Sequence, residues 1–424
     1  MEIKVLRERL YEHLDPDREL ADEEMREMIE SELDEAAKTN RIGLNERERM
    51  AEELFDSLRK LDILQQLVDD EEITEIMING KDHIFYEKAG ELVEWEKTFE
   101  SKEKLEDLIQ QIVGISNRVV NEASPIVDTR LKTGARVNVV LSPISIDGPA
   151  VSIRKFPKEP INMQKLLTLH SISNEIVSYL RVLVKSKYNI FISGGTGSGK
   201  TTFLNALSNF IPKEERLITI EDSAELQIRG IPNLVRMETR NANMECVKPI
   251  TIRDLVKTSL RMRPDRIIVG EVRGGECLDV LQAYNTGHDG SISTGHANSC
   301  TDMISRLETM VLMGMELPLS AIRAQIASGI DILVHLGRLR DRSRKLLDVV
   351  ELDGMENGEV KLHPLFHYRE TGEENGRIRG EWVRVGELKH TGKLLAAGFG
   401  LEDLHENTNE EGRMAAGLQR LSVL

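Results

Sequence analysis

One glycine-rich segment carries the residue types that bind phosphate. An apolar stretch that predicts a buried strand precedes it, apolar positions at helical spacing follow it, and it reads Gly194-Gly195-Thr196-Gly197-Ser198-Gly199-Lys200-Thr201-Thr202. Glycines let such a loop turn so that its backbone N–H groups face an anion, and the following helix adds its positive N-terminal end. Lys200 would neutralise the β- and γ-phosphates, and Thr201 would ligate Mg²⁺. The segment predicts a P-loop for a nucleoside triphosphate; a flexible Gly/Ser loop is the alternative.

Acidic residues follow two of the apolar runs beyond this loop. Glu271 comes after Ile267–Val269, and Glu221 with Asp222 comes after Leu217–Ile220. Hydrolysis needs a carboxylate that orients the attacking water, and Glu271 is the best placed candidate, with an ordinary surface glutamate as the alternative. Glu221 and Asp222 either act through Mg²⁺ and its waters or cap the next helix.

Two histidines flank a further predicted strand, Ser291–Thr294. His288 precedes it and His296 follows it. We expect both to reach the γ-phosphate side of the site as sensors. A metal site that includes Cys300 is disfavoured, because the spacing lacks a compact four-ligand pattern.

Three arginines precede the P-loop region and are candidates for arginine fingers. Arg130, Arg136 and Arg154 lie in the last third of the preceding domain. Such residues spread charge away from a transferring phosphoryl group. Exposed ion pairing is the ordinary alternative for any one of them.

The order of patterns along the chain predicts how these residues are positioned. From residue 158 to 352, apolar runs alternate with helical patterns, which predicts a three-layer α/β domain. Ligands of such domains bind at the carboxyl ends of parallel strands, where the loop, the acids and the histidines would converge. Residues 353–424 predict only a hairpin and a tail of unknown role.

The part before residue 158 divides into two predicted modules. Residues 61–157 contain short strands with turn signals, such as Asn79-Gly80 and Asp147-Gly148, and a helix capped by Ser101, which predicts an α+β domain. Residues 1–60 carry 19 acidic and 11 basic side chains, half of the net charge of the chain. Leucines at helical spacing there predict a small amphipathic helical module, with a charged disordered arm as the alternative.

Composition narrows the class of protein. A chain of 424 residues implies two or three domains. Its three cysteines have no C-x-x-C spacing, so we expect a reducing cytoplasm and neither a disulfide framework nor a zinc ribbon. No uncharged apolar run is long enough to span a bilayer, which predicts a soluble protein that docks peripherally on a membrane partner. The net charge of −16 argues against a broad nucleic-acid surface.

Four motifs in order carry a family resemblance. The stretches GGTGSGKTT, TIEDSAEL, RMRPDRIIVGEVRGGE and NTGHDGSISTGHANS look like the P-loop, Asp box, Walker B segment and His box of secretion ATPases of the type II/type IV superfamily. The nearest resemblance is to the CpaF-type motors of tight-adherence (Flp) pili, over roughly Ile73 to Leu352. It implies a RecA-like ATPase core, a sensor-like N-terminal domain, a homo-hexamer, and ATP with Mg²⁺ as ligands.

Three functions are compatible with these observations. The leading one is a mechanochemical ATPase that drives pilus assembly or secretion through an inner-membrane platform protein, from the cytoplasmic face of the membrane. The second is a conjugation-type nucleic-acid translocase, which the acidic balance and the lack of aromatics interleaved with Lys and Arg disfavour. The third is a small-molecule phosphotransferase. A GTPase is disfavoured because the chain has no N-K-x-D motif.

Overall fold

The computed structural model describes residues 3–13, 20–39, 43–88, 90–116, 118–156, 160–240 and 248–405. The chain divides into two compact units, Met1–Lys158 and Glu159–Leu424. Leu14, one of the leucines at helical spacing, and Cys246, one of the three cysteines, lie outside the described residues, as does the chain after residue 405.

The first unit begins with three helices that share an apolar core. They are α1 (Ile3–His13), α2 (Asp22–Thr39) and α3 (Leu44–Arg59). Leu10, Ile29, Leu33 and Leu54 are almost fully buried between them. The leucine spacing predicts the first and third helices; α2 was not predicted, because acidic residues dominate its sequence.

A six-stranded antiparallel sheet with its own core completes the first unit. The strands of the sheet and the α-helices of this part of the chain are, in order, α4 (Gln65–Asp69), β1 (Ile73–Asn79), β2 (His83–Lys88), β3 (Glu91–Glu94), α5 (Lys102–Gly114), β4 (Ile126–Arg130), β5 (Arg136–Val140) and β6 (Ala150–Arg154). The strand order is β3-β2-β1-β6-β5-β4. Burial alternates along β5, where Val137 and Val139 are buried while Arg136 and Asn138 are partly exposed. One face of the sheet therefore packs on the core, and the other carries polar side chains.

The second unit is a three-layer α/β domain around one nine-stranded sheet. Its strands are β7 (Ile190–Gly194), β8 (Leu217–Glu221), β9 (Leu234–Glu238), β10 (Arg266–Val269), β11 (Ile292–Gly295), β12 (Ile332–Arg338), β13 (Arg344–Glu356), β14 (Glu359–Glu374) and β15 (Arg377–Arg384). The order is β15-β14-β13-β12-β7-β11-β10-β8-β9. The six strands from β12 to β9 are mutually parallel, and the other three are antiparallel.

Helices cover both faces of this sheet and build two apolar cores. They are α6 (Met163–Thr168), α7 (Asn174–Lys185), α8 (Lys200–Ser208), α9 (Ile252–Ser259), α10 (Cys277–Tyr284), α11 (Cys300–Gly314), α12 (Leu319–Gly329) and α13 (Gly392–Ala396). Residues of α6, α7, α8 and α13 enter one core, and residues of α9 to α12 enter the other. Strands β7, β8, β10 and β11 are buried throughout, as expected for parallel strands covered on both sides.

The structure corrects the predicted boundary at residue 352. That residue lies inside β13, which pairs with β12 on one side and β14 on the other. Residues 353–384 contain the predicted hairpin, formed by β14 and β15, and this hairpin extends the sheet that carries the glycine-rich loop. No helix in the described part of the chain combines the length and the apolar character needed to cross a bilayer.

Candidate functional site

The glycine-rich loop lies at the carboxyl end of β7 and leads directly into α8. Gly194 is required by close approach, because a Cβ there would lie 2.4 Å from the carbonyl oxygen of Leu336. Gly199 precedes the helix with φ of +94°, a conformation that favours glycine. Thr201 and Thr202, in the first turn of α8, are half-buried. The loop and helix start therefore have the backbone arrangement that suits phosphate.

Lys200 is buried, and its amine points back into the loop. Its Nζ donates to the carbonyl oxygens of Gly194 at 3.1 Å and of Gly195 at 3.0 Å. It also lies 3.1 Å from Nδ1 of His296. Burial lowers the pKa of Lys200, and the nearby carboxylate of Glu271 opposes this effect. The amine is thus held against the backbone of the loop.

His296 joins this lysine to the predicted catalytic glutamate. A charged lysine amine only donates, so Nδ1 of His296 accepts from Lys200 and the ring proton lies on Nε2. That nitrogen is 2.6 Å from Oε1 of Glu271. Burial lowers the pKa of His296, and the positive charges of Lys200 and Arg273 add to this effect, whereas Glu271 opposes it. The imidazole is therefore neutral at pH 7.

Glu271 is held on its other side by Arg273, which the sequence analysis gave no role. Nε of Arg273 donates to Oε2 of Glu271 at 2.7 Å. Oε1 is buried and has no hydrogen-bond partner of good geometry within the described residues, although Nε2 of His296 is close. Glu271 follows β10 and His296 follows the neighbouring β11, so the carboxyl ends of parallel strands bring them together. The spacing of Glu271 and Arg273, two residues apart after an apolar run, was a signal for this pair.

Glu221 occupies the end of β8 and is almost completely buried. Its Oε1 accepts from the backbone N–H groups of Glu225 at 2.7 Å and Leu226 at 2.8 Å. Its Oε2 is buried and without a hydrogen-bond partner in the part of the chain that the structure describes. Burial raises the pKa of Glu221 to about 7 despite the two N–H donors. Glu221 caps no helix, because the residues after β8 form an irregular loop. One of its oxygens holds this loop, and the other accepts no hydrogen bond within the described residues.

Gly270 makes room for this carboxylate. A Cβ at position 270 would lie 2.9 Å from Cγ of Glu221. The backbone N–H of Gly270 donates to Ile220, and its carbonyl accepts from the hydroxyl of Thr294. A larger residue at this strand end would displace the glutamate.

The structure corrects the expectation for His288. This residue precedes β11 and so lies at the amino ends of the parallel strands, whereas the P-loop lies at their carboxyl ends. Its Nδ1 is 3.2 Å from the carbonyl oxygen of Ala283. Strand β11 (Ile292–Gly295) lies between the two histidines, so they flank opposite ends of the strand. Only His296 reaches the Lys200 cluster.

The three candidate arginines stand side by side in the first unit. Arg136 is directly opposite Arg130 on β4 and directly opposite Arg154 on β6. Residues directly opposite share a sheet face, so the side chains form one row on the polar face. Asp128 lies 3.6 Å from Arg136. The structure thus places the three arginines in one row.

Two of the three cysteines lie in the described part of the chain. Cys277 and Cys300 are buried thiols, and burial raises the pKa of each. Among the described residues, no group of three or more His, Cys, Asp or Glu side chains could hold a metal ion.

Another residue near the loop was missed by the sequence analysis. His335 on β12 is buried beside Ser193, the residue before Gly194, and its Nδ1 lies 2.8 Å from the serine hydroxyl. Burial lowers the pKa of His335. A single histidine in an apolar strand gives no sequence signal for this position, because the contact joins residues 142 apart.

Comparisons with known proteins identify relatives of the chain. Residues 57–385 match the family described as type II/IV secretion system protein. The putative conjugal transfer protein Rv3659c of Mycobacterium tuberculosis is 32% identical over 312 residues, 72% of this chain and 88% of that protein. The type IV secretion system protein VirB11 of Brucella suis is 33% identical over 307 residues, 65% of this chain and 84% of that protein.

A solved structure supports the fold. The crystal structure of the pilus retraction motor PilT with bound ADP aligns with a TM-score of 0.50 and 20% identity, over 72% of this chain and 82% of that one. The similarity confirms the predicted α/β fold class with a RecA-like core.

Proposed function

The chain belongs to the type II/IV secretion system protein family, and we propose that it is an ATPase that powers pilus assembly or protein secretion. The observation that carries the proposal is the contact of one imidazole, that of His296, with both Lys200 and Glu271. Hydrolysis of a bound triphosphate requires a lysine that binds phosphate and a carboxylate that orients water. Here both groups lie at the carboxyl ends of parallel strands.

ATP with Mg²⁺ is the proposed ligand. The loop from Gly194 to Thr202 would hold the phosphates, and Thr201 and Glu221 are the proposed groups on the Mg²⁺ side. The buried oxygen of Glu221 without a partner fits this role, because Mg²⁺ takes oxygen ligands and usually keeps several waters that carboxylates accept from. Mg²⁺ would neutralise charge on the phosphates. Glu271 would orient the attacking water, and His296 would hold that carboxylate and Lys200 in register.

The arginine row supports a homo-hexamer. The three arginines concentrate positive charge on one face of this sheet, with Asp128 beside the central one. Positive groups of this kind stabilise the charge of a transferring phosphoryl group. We propose that Arg130, Arg136 and Arg154 act as arginine fingers when subunits assemble around bound ATP.

The membrane platform of a pilus is the proposed partner. The resemblance to CpaF-type motors favours this assignment, with the protein at the cytoplasmic face of the membrane through its partner. The mycobacterial relative is named a putative conjugal transfer protein, which keeps nucleic-acid translocation as the second candidate. The net charge of −16 favours the protein-directed motor.

One assay separates these functions. ATP turnover of the full-length protein would be measured alone, with single-stranded DNA, and with detergent-solubilised membrane proteins from cells that contain its neighbouring genes. We expect the membrane fraction to raise turnover and DNA to leave it unchanged. Stimulation by DNA alone would overturn the pilus assignment in favour of the translocase. Absence of any turnover, with the Lys200→Ala variant as the blank, would overturn the ATPase assignment.

A further inference from the structure

The hairpin formed by β12 and β13 contacts the P-loop through its turn region. Strand β12 neighbours β7, and the β12–β13 turn follows Arg338 and precedes Arg344. The turn is fixed by Asp341, whose carboxylate accepts from the backbone N–H groups of Ser343 and Ile378, both at 2.9 Å. These bonds hold the pKa of Asp341 at about 2, although burial opposes them. These hydrogen bonds therefore fix the backbone of the turn.

Arg344 reaches from this hairpin to the P-loop. Its Nε donates to the carbonyl oxygen of Gly197 at 2.9 Å. Its Cδ lies 3.5 Å from the point where a Cβ on Gly199 would be. The side chain is exposed. Gly197 and Gly199 belong to the segment that would surround the phosphates, so a cation lies against this segment.

The guanidinium of Arg344 differs from that of its neighbour Arg340 in its carboxylate partners. In the described part of the chain no carboxylate forms an ion pair with Arg344, whereas Arg340, in the same hairpin, pairs with both Glu370 and Glu373. Arg338 is directly opposite Arg344 and adds a second positive charge. Like charges in this position cost stability, and an anion on this side would remove the cost.

We infer that Arg344 is a nucleotide-binding residue that contacts the phosphate groups from within the same chain. The inference rests on the proposed ATP site. A guanidinium is planar and always charged, and its N–H groups match phosphate oxygens in pairs. With Nε anchored on Gly197, the two terminal nitrogens remain for this contact. Lys200, which already contacts two carbonyls and His296, would share the charge of the triphosphate with it.

Nucleotide affinity of full-length variants tests this role. Fluorescent ATP and ADP would be titrated into wild-type protein and the Arg344→Gln, Arg344→Lys and Arg342→Gln variants. We expect Arg344→Gln to raise the Kd about tenfold, which is about 1.4 kcal/mol, because it keeps a donor for Gly197 but loses the charge. Arg344→Lys keeps the charge but loses the paired geometry, so it should recover part of the affinity. Arg342→Gln removes the same charge from the adjacent exposed turn and should bind as wild type does.

Two results would overturn the inference. One is a Kd for Arg344→Gln within twofold of wild type. The other is an equal loss for the Gln and Lys variants, which would mean that loop shape and not charge is affected. Lys200→Ala is titrated in parallel: if it loses binding while Arg344→Gln does not, only the role of Arg344 fails. If Lys200→Ala also binds as wild type does, the ATP site itself is misassigned.

Discussion

Nε2 of His296 lies 2.6 Å from Oε1 of Glu271, at the ends of two neighbouring parallel strands. The other nitrogen of the ring accepts from the P-loop lysine. The imidazole must be neutral to do both, and its burial favours that form. His296 therefore links Lys200, which would bind the phosphates, to Glu271, which would orient the attacking water.

Replacing Glu271 by glutamine should separate binding from chemistry. The amide keeps the shape of the side chain but cannot act as a base, so turnover should fall by roughly 10²-fold or more while ATP still binds. Single-turnover hydrolysis and equilibrium ATP binding measure the two effects. Glu238→Gln, an exposed glutamate at the end of edge strand β9, is the matched control. If Glu271→Gln retains turnover, Glu221 becomes the first candidate for the base.

Replacing Lys200 by alanine should abolish hydrolysis and weaken ATP binding without unfolding the domain. The amine contacts loop carbonyls and one imidazole, so its removal takes away a local charge and leaves the apolar cores intact. Turnover, ATP titration and the thermal midpoint would be compared with those of Lys213→Ala, an exposed lysine after α8. Turnover near the wild-type rate would contradict the P-loop assignment.

Glu221 predicts a pH-dependent stability. Burial raises its pKa to about 7 from the ordinary 4.5, so the folded protein favours the protonated carboxyl. The folded state is therefore penalised increasingly as pH rises through 7, and the penalty is absent well below 4.5. Glu221→Gln removes the penalty. The variant should gain stability relative to wild type between pH 5.5 and pH 8, and the full penalty at high pH is about 3 kcal/mol.

Urea unfolding without nucleotide or metal, followed at both pH values, measures this difference. Glu214→Gln is the control, because this glutamate is exposed and lies before β8 in the chain. A stability difference between Glu221→Gln and wild type that does not change with pH would show that the carboxyl is ionised throughout.

The local part of the site was predictable from sequence, and its long-range part was not. The P-loop and the acids at strand ends follow from contiguous residues, because apolar runs, glycines and polar ends lie next to each other in the chain. Arg344 and Gly197 are 147 residues apart, and their contact depends on β12 lying beside β7. No periodicity encodes that neighbourhood. The prediction for His288 failed for a related reason. The spacing of two residues around a strand does not show which end of that strand lies near the ligand.

Replacing Arg136 or Arg154 by alanine should lower turnover more than ATP affinity. An arginine finger acts on charge that develops in the transition state, so its loss affects chemistry first. Turnover per chain should also rise with protein concentration as hexamers form. Lys132→Ala removes an exposed charge from the β4–β5 turn beside the same row and is the control. A concentration-independent rate from a sedimenting monomer would contradict the role.

The helical module in residues 1–60 gives a prediction about how the protein docks on its membrane partner. Its helices have their own core and contain none of the nucleotide motifs. Arg7 pairs with Glu100, and Lys104 donates to Ser57 at 3.3 Å, so polar contacts join the module to the α+β part of the same unit. We propose that the acidic excess of the module recruits a basic cytoplasmic face of the membrane platform. Deleting residues 1–60 should then spare most ATP turnover but release the protein from membranes that carry its partner.

A full-length variant separates recruitment from a structural role of this module. Glu23, Glu27 and Glu35 are exposed on α2, and changing all three to glutamine lowers the negative charge while keeping the helix core. Co-sedimentation with partner membranes should weaken for this variant. It should also weaken for wild type as salt is added, because exposed charges are screened over about 8 Å at physiological ionic strength. If the truncated protein instead loses its hexamer and its turnover but still co-sediments with those membranes, the module stabilises the assembly and does not recruit it.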